Sequence, residues 1–394
     1  MANNTGFWRS WVTWMLLVLS LNAAAQTTVL INPGDFREQS RVTEYFAWKA
    51  VLESALRKAG ASAVTVQLSS DATRDLQTTR SRILDVYVAP AHVVGSAVRY
   101  GYVPLVGLDL KVQTLLVAPQ ASGITTLEQA KGKRLGLPQQ DSLVTYLFRG
   151  EINAANTTIK RHFGSVYETR YQESLLICLQ LFRCDVVAVE RLMYERWKDA
   201  GEKLVVLMES RAAPGLSVAV RTDSKLSVPA LRNTLSETLA SDPVLSKIGK
   251  PVAREVDNFV YVGTLGYFTP RSLPGAKVVD AAAVAQLLQR GARYIDARND
   301  TEFNAGHVAG AKLVPYVEKS PKDTDYDAAL DQFDLTQLGS DLNAELVFAC
   351  NGPECWKSYK ASRSAVKAGF TKVNWFRGGL PEWRSAGFKV EVSN

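Results

Sequence analysis

The sequence predicts an α/β protein built of two unequal units. Through its first two-thirds, short runs rich in β-branched residues alternate with longer amphipathic stretches, and the alternation resumes in the last third. Between them, residues 259–277 are rich in Gly, Pro and aromatic residues and lack helical periodicity. Strands that alternate with helices favour parallel sheets, and a stretch of this composition is typical of a connector. We therefore predict domains at 26–258 and 275–394, joined by a linker at 259–274 that packs through its aromatic residues.

The elements of the first unit follow from local patterns. "TVLINPG" predicts a strand running into a turn, and "TEYFAWKAVLESALRKAG" predicts a helix that ends at Gly60. Further strands are predicted from "SAVTVQL", "ILDVYVAP", "TLLVAP", "KRLGLP", "DVVAVE", "KLVVLM" and "LSVAVRT". In the second unit, "VVDAAAVAQLLQRG" predicts a helix capped by Asp280, and "ARYIDAR", "ELVFAC" and "KVNWFRGG" predict strands.

Length and charge restrict the function classes. A chain of 394 residues is too long for one ordinary domain and is sufficient for two or three. The net charge of +7 is not concentrated in a Lys/Arg stripe interleaved with aromatic residues. We therefore expect no nucleic-acid partner.

Residues 1–25 have the pattern of a signal peptide. Arg9 supplies a positive charge, "WVTWMLLVLSLNAAA" an apolar run, and Ala23 to Ala25 a small-residue cleavage site. The apolar run is short for a bilayer span, although an uncleaved anchor stays open as an alternative. We expect an exported protein, most simply in a bacterial periplasm.

Four cysteines form two close pairs, Cys178 with Cys184 and Cys350 with Cys355. Both pairs are disulfide candidates in an oxidising compartment. A straight helix would hold Cys178 and Cys184 too far apart, so a disulfide there requires the helix to break between them. For this pair we favour a structural role, as a disulfide or as core packing, over a functional one.

Cys350 closes a strand of buried type, and a helix begins about six residues later. Ligands and catalytic groups of open α/β sheets lie beyond the carboxyl ends of the strands. Loop N–H groups and the positive end of the helix dipole favour a thiolate, and Lys357 and Arg363 add positive charge. The open alternatives are a reactive sulfur site, a stable Cys350–Cys355 disulfide and a zinc clip.

A zinc clip is the least favoured of the three, because it would need further ligands. The histidines of the chain are His92, His162 and His307. We expect neither a metal nor a cofactor.

Three segments of the last 120 residues resemble the signatures of a rhodanese domain. They are "YIDARNDTEFNAGHVAGAKLVP", "LVFACNGPECWKSYKAS" and "NWFRGGLPEWRSAGFKV", in the family's order and spacing. The resemblance implies a small three-layer α/β domain in which Cys350 alternates between thiolate and persulfide. By the same resemblance, a supporting framework is expected from Asp296, Arg298, Glu302 and His307, and the end of the domain is shaped by Gly378, Gly379 and Trp383.

The loop after Cys350 departs from the family pattern. Six residues separate Cys350 from Lys357-Ser358, where the common loop has four between the cysteine and its Arg/Thr-Ser pair. Glu354 would discourage a dianionic donor, and Cys355 could act as a resolving thiol. The candidate catalytic residues are Cys350, Cys355, Lys357, Ser358, Arg298 and Asp296.

The segment "TTLEQAKGKRLGLPQQDSLVTYLFRGEI" places Ser142 and Thr145 at the entry to a helix, where hydroxyls beside unpaired N–H groups suit an anion. It resembles the second lobe of periplasmic solute-binding proteins of the phosphonate/phosphite/phosphate class. The resemblance covers residues 28–245 and implies a two-lobed, type II periplasmic-binding-protein-like fold. It makes Ser142, Thr145, Tyr87 and His92 candidate ligand contacts. The alternatives are that Ser142 is a helix cap or a surface residue, and that His92 is a satisfied polar residue at a strand end.

Two departures leave the ligand open: the family's Ser-x-Ser-Gly cradle is absent, and Asp141 would repel an anion at the helix entry. We expect Asp141 to be the helix N-cap.

The sequence thus predicts a rhodanese-like sulfurtransferase fused to a domain that binds a small molecule, for which a phosphonate or another oxyanion is the candidate. Its partners would be that ligand, a sulfur donor and a thiol acceptor, and an ABC transporter or another membrane protein is a further candidate. One alternative is a non-catalytic solute-binding component of an ABC transporter or sensor with a rhodanese docking module. Another is a thiol–disulfide switch at Cys350 and Cys355.

Overall fold

A computed structural model describes residues 26–34, 38–155 and 157–393. The predicted signal peptide, residues 1–25, lies outside the described residues. Within those described ranges, no helix has both the length and the apolar character needed to cross a membrane. Three main sheets divide the described chain into lobe 1, lobe 2 and a C-terminal domain.

The strands are, in chain order, β1 (Gln26–Ile31), β2 (Ala63–Leu68), β3 (Val86–Ala89), β4 (Tyr102–Leu108), β5 (Lys111–Val112), β6 (Thr114–Pro119), β7 (Arg134–Pro138), β8 (Ser165–Thr169), β9 (Val186–Glu190), β10 (Leu204–Glu209), β11 (Ala213–Pro214), β12 (Ser217–Arg221), β13 (Pro251–Ala253), β14 (Ala276–Val278), β15 (Arg293–Asp296), β16 (His307–Val308), β17 (Lys312–Leu313), β18 (Glu345–Ala349), β19 (Lys372–Phe376) and β20 (Val390–Glu391).

The α-helices are, in chain order, α1 (Glu38–Lys58), α2 (Ala72–Ser81), α3 (Ala91–Arg99), α4 (Leu143–Ala154), α5 (Ile159–His162), α6 (Glu173–Gln180), α7 (Arg191–Asp199), α8 (Val228–Ser241), α9 (Leu245–Ile248), α10 (Asp257–Thr264), α11 (Ala281–Gln289), α12 (Asp300–Asn304), α13 (Trp356–Lys367) and α14 (Gly379–Ser385).

The sheets of lobe 1 and lobe 2 each contain parallel and antiparallel strand pairs, which corrects the expectation of parallel sheets. The strand order is β13-β4-β12-β3-β1-β2 in lobe 1 and β10-β6-β9-β7-β8 in lobe 2. The chain leaves lobe 1 through β5 and returns through β11, and these two strands pair antiparallel between the lobes. Because the chain re-enters lobe 1 in the opposite direction, β12 runs antiparallel to both β3 and β4.

Both faces of the lobe 1 sheet are covered by helices. Trp48 and Leu52 of α1 are fully buried on one face, together with Leu235 of α8. The other face holds Leu76 of α2 and Val94 of α3. The α2 and α3 helices are thereby fixed between the sheet and the rest of the molecule.

The C-terminal domain has the predicted parallel sheet, in the order β14-β19-β18-β15-β17. The predicted cap of α11 is confirmed, since the Asp280 side chain accepts a hydrogen bond from the backbone N–H of Ala283. The predicted strands appear as β15, β18 and β19, with β18 in the centre. Cys350 therefore follows the central strand, at its carboxyl end.

The connector differs from expectation in one part and agrees in another. Its first part, expected to lack a helix, belongs to α10, which packs against α3 where Gly95 and Gly263 meet. A β-carbon on Gly95 would lie 3.1 Å from the Gly263 backbone, so only small residues allow this approach. The prediction that the aromatic residues pack is confirmed: the Tyr267 ring lies edge-on to Tyr146 with ring centroids 5.6 Å apart, and Phe259 is buried in the lobe 1 core.

Cys178 and Cys184 form a disulfide with their Cα atoms 5.3 Å apart. The α6 helix ends at Gln180, and Phe182 adopts a φ of 53°, so the helix breaks between the two cysteines. The prediction that this disulfide requires a break is confirmed. Both cysteines are buried in lobe 2, which agrees with a structural role.

Candidate functional site

A cavity of about 610 Å³ lies between lobe 1 and lobe 2. Three helices begin at its wall: α2 after its N-cap Asp71, α3 after Pro90, and α4 after its N-cap Ser142. Helix N-termini present unpaired N–H groups and the positive end of the dipole, which favours electron-rich groups of a ligand. The wall also includes Asn32, Thr73, Gln139, Glu168, Arg170 and Tyr171.

His92, in the first turn of α3, is a wall residue that is only 2% exposed. Neither of its ring nitrogens has a hydrogen-bond partner among the described residues, although the Asp141 backbone lies near. Burial lowers the pKa of His92 to about 4, so the ring is neutral at pH 7. A neutral imidazole has one donor and one acceptor. The Asp141 backbone is close enough to interact with one ring nitrogen, so the ring has hydrogen-bonding capacity left for a group in the cavity.

Ser142 serves as the N-cap of α4, since its side chain accepts a hydrogen bond from the backbone N–H of Thr145. The Thr145 hydroxyl donates to the carbonyl of Pro138 at 3.2 Å. Of the sequence-predicted ligand contacts, Ser142 and His92 lie on the cavity wall, and Thr145 lies one turn behind it. Tyr87 belongs to the lobe 1 core, where its hydroxyl donates to Thr78 at 2.9 Å.

Asp141 is not the helix cap, which corrects the expectation. Its two carboxylate oxygens each accept a hydrogen bond from the ammonium group of Lys322 at 2.8 Å. The Thr73 hydroxyl of α2 also donates to this carboxylate. Burial raises the pKa of Asp141, but Lys322 and the hydrogen bonds outweigh it and bring the pKa below its usual value. Asp141 is therefore a charged junction between the lobes and the C-terminal domain.

Lys322 belongs to a loop of the C-terminal domain, residues 318–322, which closes one side of the cavity. This 318–322 loop is fixed to its own domain by Asp331, which accepts hydrogen bonds from the backbone N–H groups of Lys319 and Ser320 at 2.7 Å. The fully buried ammonium of Lys360 lies 2.7 Å from the Glu318 carboxylate and donates to the Ser320 hydroxyl at 2.8 Å. These contacts hold the 318–322 loop in place as one wall of the cavity.

Cys350 and Cys355 form a disulfide across a tight loop, with their Cα atoms 6.1 Å apart. Cys350 follows β18, and Cys355 is the N-cap residue of α13. The two cysteines are 2% and 3% exposed. The nucleophile predicted from the sequence, Cys350, is therefore oxidised in this structure and lies at the carboxyl end of the central strand.

Arg298 and Asp296 belong to a hydrogen-bond network that supports the loop between the two cysteines, called here the cysteine loop (residues 350–355). The fully buried Arg298 guanidinium donates to both Asp296 oxygens, at 2.9 and 2.6 Å, and to the carbonyls of Glu302 and Gly306. Glu302 in turn accepts a hydrogen bond from the Asn351 side chain at 2.5 Å. These contacts agree with a framework role, in which Arg298 and Asp296 hold the loop without touching Cys350.

Other predicted residues of the domain are placed as follows. The Ser358 hydroxyl accepts a hydrogen bond from the Trp375 indole at 3.1 Å, and Lys357 is half-buried in the first turn of α13. The His307 ring stacks on Phe303 with centroids 3.9 Å apart. The Trp383 indole donates to the carbonyl of Lys389 at 2.9 Å.

Lobe 1 covers the cysteine loop through the C-terminal end of α2. Arg80 pairs with Glu354 at 3.3 Å, and both side chains are 3% exposed. The Ser81 hydroxyl donates to Glu302 at 3.1 Å. The charge of Glu354, expected to repel a dianionic donor, is thus engaged by Arg80. Because α2 begins at the cavity and ends at this loop, one helix touches both candidate sites.

Sequence reasoning missed the 318–322 loop, Lys360 and Arg80. No sequence pattern singles out Lys322, which lies 181 positions from its partner Asp141. Arg80 is separated from Glu354 by 274 positions. In the ranges that the structure describes, no group of three or more His, Cys, Asp and Glu residues is arranged to hold a metal ion.

Both parts of the chain match known protein families. Residues 35–255 match the family model described as ABC transporter, phosphonate, periplasmic substrate-binding protein, and residues 280–386 match the rhodanese-like domain model. Thiosulfate sulfurtransferase 18 of Arabidopsis thaliana is 33% identical over 118 residues, which are 29% of this chain and 82% of that protein. Thiosulfate sulfurtransferase 16, chloroplastic, of the same organism is 29% identical over 120 residues, 29% of this chain and 92% of that protein.

Two solved structures are similar to the front part of the chain. PhnD1 from Prochlorococcus marinus in complex with methylphosphonate has 11% identity and a TM-score of 0.49, over 61% of this chain and 96% of that one. A binding protein component of an ABC phosphonate transporter from Pseudomonas aeruginosa has 17% identity and a TM-score of 0.47, over 61% of this chain and 86% of that one.

Proposed function

The chain belongs to the periplasmic substrate-binding proteins of phosphonate ABC transporters and carries a C-terminal rhodanese-like domain, and from this we propose a function in two parts. The front part captures a small solute that bears an oxyanion group, and it hands this solute to a membrane transporter. The rhodanese-like part transfers sulfur through Cys350, under the control of the Cys350–Cys355 disulfide. Export to the periplasm belongs to the same proposal.

The observation that carries solute capture is the buried His92 ring at the cavity wall, whose nitrogens make no hydrogen bond of normal geometry within the described part of the chain. A buried polar group without a partner costs about 1–3 kcal/mol, which a ligand with matching groups recovers. The starts of α2, α3 and α4 around the cavity favour an oxyanion. The volume of about 610 Å³ suits a small molecule.

We expect His92→Phe to weaken solute binding by about 5- to 100-fold, because an aromatic ring stays in place but both hydrogen-bonding nitrogens are lost. Calorimetric titration of the full chain with phosphate, methylphosphonate, sulfate and thiosulfate measures this. His162→Phe is the matched control, since His162 is buried in lobe 2, bonded to the carbonyl of Leu127, and does not line the cavity. If the wild-type protein binds none of the four anions, solute capture in this form is wrong.

Support for sulfur transfer comes from the position of Cys350, beyond the central strand and before α13. A dithiol reductant first supplies two electrons and opens the disulfide. The Cys350 thiolate then attacks the outer sulfur of thiosulfate, the sulfur–sulfur bond of the donor breaks, and sulfite leaves. An acceptor thiolate takes the outer sulfur of the resulting persulfide, and Cys350 is a thiolate again.

Cys355 competes with the external acceptor. When the Cys355 thiol attacks the Cys350 sulfur of the persulfide, the Cys350–Cys355 disulfide re-forms and hydrosulfide leaves. The loop thus discharges its sulfur and closes unless an acceptor arrives first.

We expect reduced Cys355→Ser protein to accumulate one added sulfur atom after thiosulfate treatment. The wild-type protein should instead release one equivalent of sulfide and regain its disulfide. Intact mass and sulfide release measure the two outcomes, and Cys350→Ser is the control that should take up no sulfur. If the Cys355→Ser protein takes up no sulfur, the proposed sulfur transfer is wrong. The Cys350–Cys355 disulfide would then be structural, and the domain a docking module.

A further inference from the structure

The 318–322 loop raises the question of why a rhodanese-like domain forms part of the wall of a solute cavity. The side chains of Lys322 and Asp141 are 8% and 5% exposed, so their pairing is a buried contact between two domains. Thr73 of lobe 1 also donates to Asp141 of lobe 2. Three separate parts of the protein therefore meet at one carboxylate at the cavity wall.

The hydrogen-bonding capacity of Lys322 exceeds what Asp141 uses. A lysine ammonium has three N–H donors, and the two Asp141 oxygens accept two of them at 2.8 Å each. The aromatic ring of Tyr267 lies 6.0 Å from the ammonium, at the outer limit of a cation–π contact. Within the described ranges the third donor has no acceptor at hydrogen-bond distance, and Lys322 lines the cavity, so this donor can serve a group bound there.

The wall carries charges of both signs: its carboxylates are Asp71, Asp141, Glu168 and Glu318. The Glu318 carboxylate is paired with the buried Lys360, and the Asp141 carboxylate is paired with Lys322. Asp141 alone would repel an oxyanion from the start of α4, as the sequence indicated. Lys322 neutralises the charge of the Asp141 carboxylate, and its third N–H can donate to a ligand. The Lys322–Asp141 pair can therefore bind an oxyanion where Asp141 alone would repel it. Lobe 1 and lobe 2 contribute no lysine to the wall among the residues described, and the cations there are Arg170 of lobe 2 and Lys319 and Lys322 of the C-terminal domain.

We propose that Lys322 of the rhodanese-like domain binds the oxyanion group of the solute directly, so that the cavity is a complete binding site only with this domain in place. The inference rests on the proposed solute capture and names a ligand-binding residue supplied from outside the two lobes. The loop is suited to this role because Asp331 and Lys360 hold it in place.

The test is calorimetric titration of three full-chain variants with phosphate, methylphosphonate, sulfate and thiosulfate. Lys322→Gln should bind the anion that the wild-type protein binds about tenfold more weakly or worse. Lys322→Arg, which keeps the charge and the donors, should retain most of the affinity. Lys389→Gln is the matched control, since Lys389 is an exposed lysine of the same domain that does not line the cavity.

A double variant separates direct binding from charge compensation. Lys322→Gln alone leaves the buried Asp141 carboxylate unpaired, which would both weaken folding and repel an anion. In Lys322→Gln/Asp141→Asn no charge is left unpaired, so weak binding by this variant supports direct contact. Wild-type affinity in the double variant, or in Lys322→Gln, would overturn the inference while solute capture stands. A wild-type protein that binds none of the anions would overturn both.

Discussion

Arg298→Met is expected to destabilise the C-terminal domain by about 3–5 kcal/mol, the usual cost of removing one partner of a buried ion pair. The Arg298 guanidinium is fully buried and donates to the Asp296 carboxylate and to the carbonyls of Glu302 and Gly306. Methionine fills part of the volume but satisfies none of these acceptors, so a charged carboxylate and two carbonyls remain buried without their donor.

Chemical denaturation followed by tryptophan fluorescence measures this loss, because Trp356, Trp375 and Trp383 lie in the C-terminal domain. The matched control is Arg290→Met, since Arg290 is exposed at the end of α11 and should change the free energy of unfolding by less than about 0.5 kcal/mol. Equal stabilities of the two variants would show that the buried pair is not what holds the framework.

Gly379→Ala is expected to cost about 2–4 kcal/mol and to speed reduction of the Cys350–Cys355 disulfide. Gly379 has a φ of 58°, which strains any other residue by about 1 kcal/mol or more. A β-carbon there would also overlap the carbonyl oxygen of Cys350, a backbone atom held by the N–H of Leu380 at 3.0 Å. Relief of that overlap costs a further ~1–3 kcal/mol and displaces the cysteine loop.

The measurements are thermal unfolding and the rate at which dithiothreitol opens the disulfide. Gly387→Ala is the control: Gly387 also has a positive φ, of 80°, but a β-carbon there meets nothing within 4 Å. That variant should show the backbone strain alone and the wild-type reduction rate. Similar reduction rates in both alanine variants would contradict a specific contact between Gly379 and the cysteine loop.

The features that the sequence predicted well are those encoded in short segments. Asp280 caps α11 three residues ahead of the N–H it binds, so the spacing itself brings the partners together. Asp296 and Arg298, which were named through the resemblance to rhodanese domains, are also close in sequence, two residues apart. The break that allows the Cys178–Cys184 disulfide was likewise expected from the geometry of one helix.

The predictions were wrong where contacts between segments distant in sequence determine the local structure. Asp141 stands where a cap is expected, but the docking of the C-terminal domain gives it Lys322 and leaves the cap to Ser142. The first part of the connector, which includes Gly263, lacks helical periodicity in the sequence, yet it belongs to α10. Its packing on Gly95 of α3 supplies the stabilisation that the local sequence does not.

The α2 helix carries a consequence for how the two halves affect each other. Its ten residues span about 15 Å, with Asp71 and Thr73 at the solute cavity and Arg80 and Ser81 against the cysteine loop. Coupling free energies between two sites are reciprocal. If a bound solute favours one position of α2, the state of the cysteine loop must therefore change solute affinity by the same factor, through the contact between Arg80 and Glu354.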